Sequence, residues 1–191
     1  MKTVRHDRRS ERTQRLLGDA LIDLMLTRPY ADLTVQDILD HANIGRSTFY
    51  AHYWDKEDLL TSEVERMLAT LLRHIQDIPI EAGGFVPSLG LLRHIQEQYR
   101  LYQALVRGDG FAVVLRTLRE TLCAAVEQRL ADVGALSQEA RTVTAQAMVG
   151  TLLALLQWWL ETEMALSPER LDAYYRQLVL PGVRAMIAAQ P

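Results

Sequence analysis

The stretch from Thr34 to Leu60, TVQDILDHANIGRSTFYAHYWDKEDLL, decides how the 191-residue chain is read. Thr34 is placed to cap a helix, with Asp37 in its first turn, where an acid suits the helix dipole. Val35, Ile38, Leu39 and Ala42 then form one short apolar face. Asn43 tolerates the left-handed backbone that a tight turn needs. Gly45 opens a second short helix carrying Arg46, Ser47, Thr48, Phe49 and Tyr50, and Asp55 caps a third, with Glu57 and Asp58 behind it. Two short helices across a tight turn, the second polar at its front, describe a helix-turn-helix.

The same helical period continues on both sides. Leu16, Leu17, Ala20, Leu21, Leu24 and Met25 make a single stripe that Pro29 terminates. Downstream, Leu59 to Ile75 is a long stripe, and Pro79 to Pro87, with Gly83 and Gly84, reads as a linker. Helices are expected over 89–106, 111–133, from the Ser137 cap to about 163, and from the Ser167-Pro168-Glu169 start signal to about 188. No stretch alternates with period two, so the expected fold is all-α with about nine helices. The expected organisation is a helix-turn-helix head at 1–56 followed by a helical bundle at 57–191. With 49% hydrophobic and 24% charged residues, the chain has ample material for a core.

Charge is distributed unevenly. The net value is −3, yet Lys2, Arg5, Arg8, Arg9, Arg12 and Arg15 face only Asp7 and Glu11 in the first fifteen residues. Such an arm either neutralises phosphates or merely solubilises the end of the chain.

The helix-turn-helix resembles the DNA-binding domain of the tetracycline-repressor (TetR-type) family of transcriptional regulators. Thr34, Ile38, Ala42, Ile44, Phe49, Tyr50, Tyr53 and Lys56 match that family's pattern across residues 12–60. Asn43 departs from its usual glycine and Gly45 from its usual serine cap. The resemblance implies an N-terminal three-helix domain that binds double-stranded DNA. Behind it, a C-terminal bundle would hold a ligand and build a four-helix dimer interface from the last two helices of each subunit.

The residues themselves support the same assignments. Phosphate contacts need hydroxyls, helix N-termini and cations, which points to Thr34, Tyr50, Tyr53, Lys56 and His52. Arg46, Ser47 and Thr48 stand at the front of the recognition helix, where base edges are read. Arg46 suits guanine, though a phosphate contact alone would also explain it. Phe49 is read as core, Trp54 as a packing wedge between helices and His41 as a solvated helix residue.

In the rear segment, apolar residues encircle the helix after Ser137, which implies burial on all sides and hence a partner subunit. Ala147, Gly150, Thr151 and Ala154 would permit close helix approach, with Tyr174 and Leu178 on the last helix as further interface candidates. Candidate pocket residues are His94, Tyr99, Tyr102, Phe111, Arg119, Cys123, Met148 and Trp158, with ordinary core packing as the competing explanation.

No phosphate loop, nucleophile elbow or metal-ligand spacing occurs, so neither an enzyme, a cofactor nor a metal site is expected. A single cysteine and a charged N-terminus fit a cytoplasmic protein, and the longest apolar run, Met148 to Leu160, is short for a membrane span. The expected partners are an operator duplex, a second copy of the chain and a small-molecule effector. The alternative is a helical protein-interaction module whose helix-turn-helix has no DNA function.

Overall fold

The computed structural model describes residues 3–75, 85–106, 110–134 and 136–188. The Gly108-Asp109 break, most of the linker before Phe85, and the side chains of the basic residues up to Arg9 lie outside the described residues. Among those described, nine α-helices and one 3-10 turn occur, with no strand. In order they are α1 Thr3–Met25, the 3-10 turn Tyr30–Asp32, α2 Val35–Ala42, α3 Arg46–Tyr50, α4 Lys56–Ile75 and α5 Ser88–Glu97. Then come α6 Tyr99–Val106, α7 Gly110–Val133, α8 Gln138–Glu161 and α9 Pro168–Ala188. The chain forms two compact units, Met1–Val64 with Arg100–Val114, and Glu65–Tyr99 with Leu115–Pro191.

Local chemistry sets the helix ends. Asp37 N–H donates to Thr34 Oγ1 at 3.2 Å while Thr34 N–H donates to Asp37 Oδ2 at 2.8 Å, a complete capping box. The Thr34 hydroxyl, then the Arg28 guanidinium, hold the Asp37 carboxyl far below the usual carboxylate range. Asp58 N–H donates to Asp55 Oδ1, and Ala140 N–H to Ser137 Oγ. Gly134, at φ 73°, follows the end of α7 in the left-handed region that favours glycine.

Two details differ from the sequence-based expectation. First, α1 starts at Thr3, so the described backbone of the basic arm is helical rather than an extension ahead of the helix. Second, the helix expected over 89–106 breaks at Gln98 into α5 and α6. Neither glycine nor proline marks that break, which is why the pattern hid it.

In the first unit Leu17, Leu21, Ile38, Phe49 and Leu59 are fully buried and fix α1, α2, α3 and α4 against one another. Tyr30 is central to this packing. The Lys56 ammonium sits 4.7 Å above its ring, and at Gly110 an added Cβ would lie 3.1 Å from that ring. The Tyr30 hydroxyl is buried without a hydrogen-bond partner among the described residues, and burial pushes its pKa well up. An unpaired buried hydroxyl costs stability that an apolar isostere does not lose. Tyr30→Phe is therefore expected to stabilise the protein by about 1 kcal/mol, read as a higher midpoint in urea with an unchanged slope.

The second unit is built on α8. Met148, Leu152, Leu156 and Trp159 are buried, and the Trp159 indole N–H donates to Leu166 O at 2.8 Å. Tyr175 on α9 donates from its hydroxyl to Met148 O. Ser88 at the start of α5 donates to the buried Asp172 carboxylate on α9, which also accepts from Arg176 Nε. By length and composition α8 could cross a membrane, but half of its apolar stretch is buried inside this unit, as in the core helix of a bundle.

Candidate nucleic-acid interface

The turn between α2 and α3 closes as its residues dictate. Asn43 adopts φ 53°, ψ 47°, and Ile44 N–H reaches back to Leu39 O at 3.1 Å. Phe49 is fully buried and holds Tyr50 edge-on at 5.4 Å and Tyr53 at 5.7 Å between ring centroids. With its inner face fixed this way, α3 turns Arg46, Ser47 and Thr48 to solvent, and Tyr50 remains 52% exposed. Thr34 is exposed at the start of α2 and His52 is half-buried after α3. The structure thus brings Thr34, Arg46, Ser47, Thr48, Tyr50 and His52 together on one helix-turn-helix. Gly45 provides no side-chain cap for α3.

Two of the phosphate candidates are turned inward. Tyr53 is buried. Lys56 Nζ donates to Tyr30 O at 2.9 Å, Ala31 O at 3.0 Å and Leu33 O at 2.7 Å, which uses all three N–H donors of an ammonium. Trp54 moves the other way. It is 87% exposed instead of forming a wedge between helices. It lies in the bend before α4, where its backbone N–H donates to Asp58 Oδ2.

Sequence reading missed Gln36. Its side-chain oxygen accepts from Arg46 Nη2 at 2.8 Å, and its NH2 donates to Asp40 Oδ1 at 2.8 Å. Only the i,i+4 spacing of Gln36 and Asp40 was visible beforehand; the contact to Arg46 spans the turn.

The pocket candidates are divided between the two units. Tyr102 and Phe111 belong to the first unit; His94, Tyr99, Arg119, Cys123, Met148 and Trp158 belong to the second. Burial pushes the Cys123 thiol pKa up and the His94 pKa down. Cys123 and Met148 are core residues, whereas Arg119 is exposed, with its Nη1 3.9 Å from the Cβ position at Gly150. Trp158 instead lines an apolar groove of about 410 Å³ on the outer face of α8 and α9, with Leu155, Leu166, Leu171, Tyr174 and Leu178. Of the interface candidates, Ala147 and Ala154 are exposed, Gly150 and Thr151 half-buried, Tyr174 47% exposed and Leu178 68% exposed. Among the described residues no cluster of His, Cys, Asp and Glu could hold a metal ion.

An all-helical chain with this head is a helix-turn-helix protein. Residues 17–62 match the family described as "Bacterial regulatory proteins, tetR family". The chain is 33% identical over 93 residues to DhaS of Lactococcus lactis, described as an HTH-type dhaKLM operon transcriptional activator, covering 49% of this chain and 48% of DhaS. It is 40% identical over 70 residues to YxbF of Bacillus subtilis, an uncharacterized HTH-type transcriptional regulator, covering 36% of this chain and 18% of YxbF. The chain thus spans half or less of the length of these two relatives. Among solved structures, a TetR transcriptional regulator from Streptococcus agalactiae aligns with a TM-score of 0.64 at 28% identity, covering 92% of this chain and 98% of that one. Residues 17–62 thus carry the DNA-binding region of the TetR family, and the fold along the chain is that of a TetR transcriptional regulator.

Proposed function

We propose that the protein is a cytoplasmic transcriptional regulator that binds a palindromic operator in double-stranded DNA as a homodimer, represses from it, and is released by a small-molecule effector. The observation that carries this reading is the rigidly backed α3, which presents Arg46, Ser47, Thr48 and Tyr50 outward. The apolar face left open on α8 and α9 supports pairing with a second copy. His94, Tyr99, Arg119, Cys123 and Met148 of the second unit are the residues proposed for sensing an effector, whereas Trp158 belongs to the face proposed for pairing. Such an effector acts only in so far as it binds the DNA-free state better. No cofactor, membrane or catalytic step enters the proposal.

The test is retardation of genomic duplex fragments at several salt concentrations. Binding should weaken steeply as salt rises, because phosphate contacts release counterions. Tyr50→Phe and Thr34→Ala should each weaken binding to all duplexes alike, whereas Arg46→Ala should also relax preference at one base pair. Failure to retard any fragment would overturn the reading.

Activation is a second reading, favoured by the description of DhaS as an activator. A reporter fused to the bound promoter separates the two: deletion of the regulator raises expression under repression and lowers it under activation.

A further inference from the structure

We propose that Gln36, its amide turned by Asp40, is a specificity-determining positioning residue that presets Arg46 for a base edge; this rests on the DNA-binding reading above. The Asp40 carboxylate can only accept, so it takes the NH2 of Gln36, at 2.8 Å and one helical turn away on α2. The Gln36 oxygen is thereby left facing across the turn, where Arg46 Nη2 donates to it at 2.8 Å. Only one guanidinium N–H of five is spent on this contact, which leaves enough for a bidentate pair with the O6 and N7 of guanine.

The chemistry of the anchor matters. Gln36 is neutral, so it restricts a long, mobile side chain without cancelling its charge. A glutamate at the same place would form an ion pair with the guanidinium and compete with DNA for it. A leucine would release the guanidinium to many rotamers, so that ordering it would fall on the binding step. Arg46 sits at the first position of α3, and glycine before it provides no side chain to fix it. The restraint therefore comes from α2, ten residues earlier in the chain.

The experiment is selection from a library of randomised duplexes by the full-length protein, followed by base-preference profiles for variants that melt like wild type. Arg46→Ala should lose a guanine preference at one position in each half-site. Gln36→Leu and Asp40→Leu should reduce that same preference at least about fivefold and leave the other positions unchanged. Asp40→Asn, which keeps an accepting oxygen, should retain it, and Gln36→Glu should lose most of it. In Arg46→Ala, adding Gln36→Leu should change nothing further. Undiminished guanine preference in both Gln36→Leu and Asp40→Leu, beside its loss in Arg46→Ala, would overturn the proposal while the DNA-binding reading stands. A wild-type protein that enriches no sequence would overturn both.

Discussion

Lys56→Met is expected to destabilise the DNA-binding unit by about 2–3 kcal/mol while leaving the salt dependence of DNA binding unchanged. The Lys56 ammonium donates to three carbonyls, those of Tyr30, Ala31 and Leu33, and lies over the Tyr30 ring. Hydrogen bonds to a charged group are worth more than neutral ones, and their acceptors lose a partner when the donor is removed. Methionine keeps the apolar stem, so the loss isolates the ammonium. Those carbonyls belong to the 3-10 turn and to Leu33, its C-cap, which deliver the chain to Thr34, so the start of α2 should lose its fixed position. A lysine that contacted phosphate would behave differently: its removal would lower the magnitude of the salt slope by about 0.9 and barely affect folding. Urea unfolding with equilibrium binding at four salt concentrations separates the two. A normal unfolding midpoint with a shallower slope would show that the ammonium leaves its carbonyls for DNA.

The legible parts of the fold are those whose signals are local. The cap at Thr34, the left-handed Asn43, the Asp55 and Ser137 caps and the helical periods each depend on a few neighbouring residues, and the structure has them. Phe49 could be placed in the core because an apolar residue between polar ones on a short helix has one use. What escaped depends on residues far apart in sequence. Lys56 has three partners 23 to 26 positions earlier, and no pattern around Lys56 announces them. Gln36 reaches Arg46 only because the turn folds α2 beside α3. Trp54 was misread because large aromatic rings are usually covered, whereas this one, in the bend between α3 and α4, is exposed. The α8 helix, apolar on every side in sequence, is buried along Met148, Leu152 and Trp159 but open at Trp158. Sequence could not tell which of its faces the chain itself would cover.

Leu178→Glu should be the most damaging change for operator binding although it lies on the last helix, in the unit that does not contain α3. In the single chain Leu178 is 68% exposed and part of the groove lined by Trp158 and Tyr174, so a glutamate there is solvated and folding should be unchanged. In a symmetric pair the same carboxylate would be trapped against apolar side chains, and with two-fold symmetry the penalty is incurred twice. The pair would separate. A lone head holds only one half-site, whereas a joined pair gains from the effective concentration of the second head, a factor of about 10²–10⁴ in affinity. Operator affinity should fall by that factor, and the salt slope should drop to roughly half as the phosphate contacts of one head are lost. Sedimentation velocity should show wild type as a dimer and Leu178→Glu as a monomer with an unchanged melting curve. If Leu178→Glu sediments as a dimer and binds the operator at wild-type strength, the open face of α8 and α9 is not what joins the two heads.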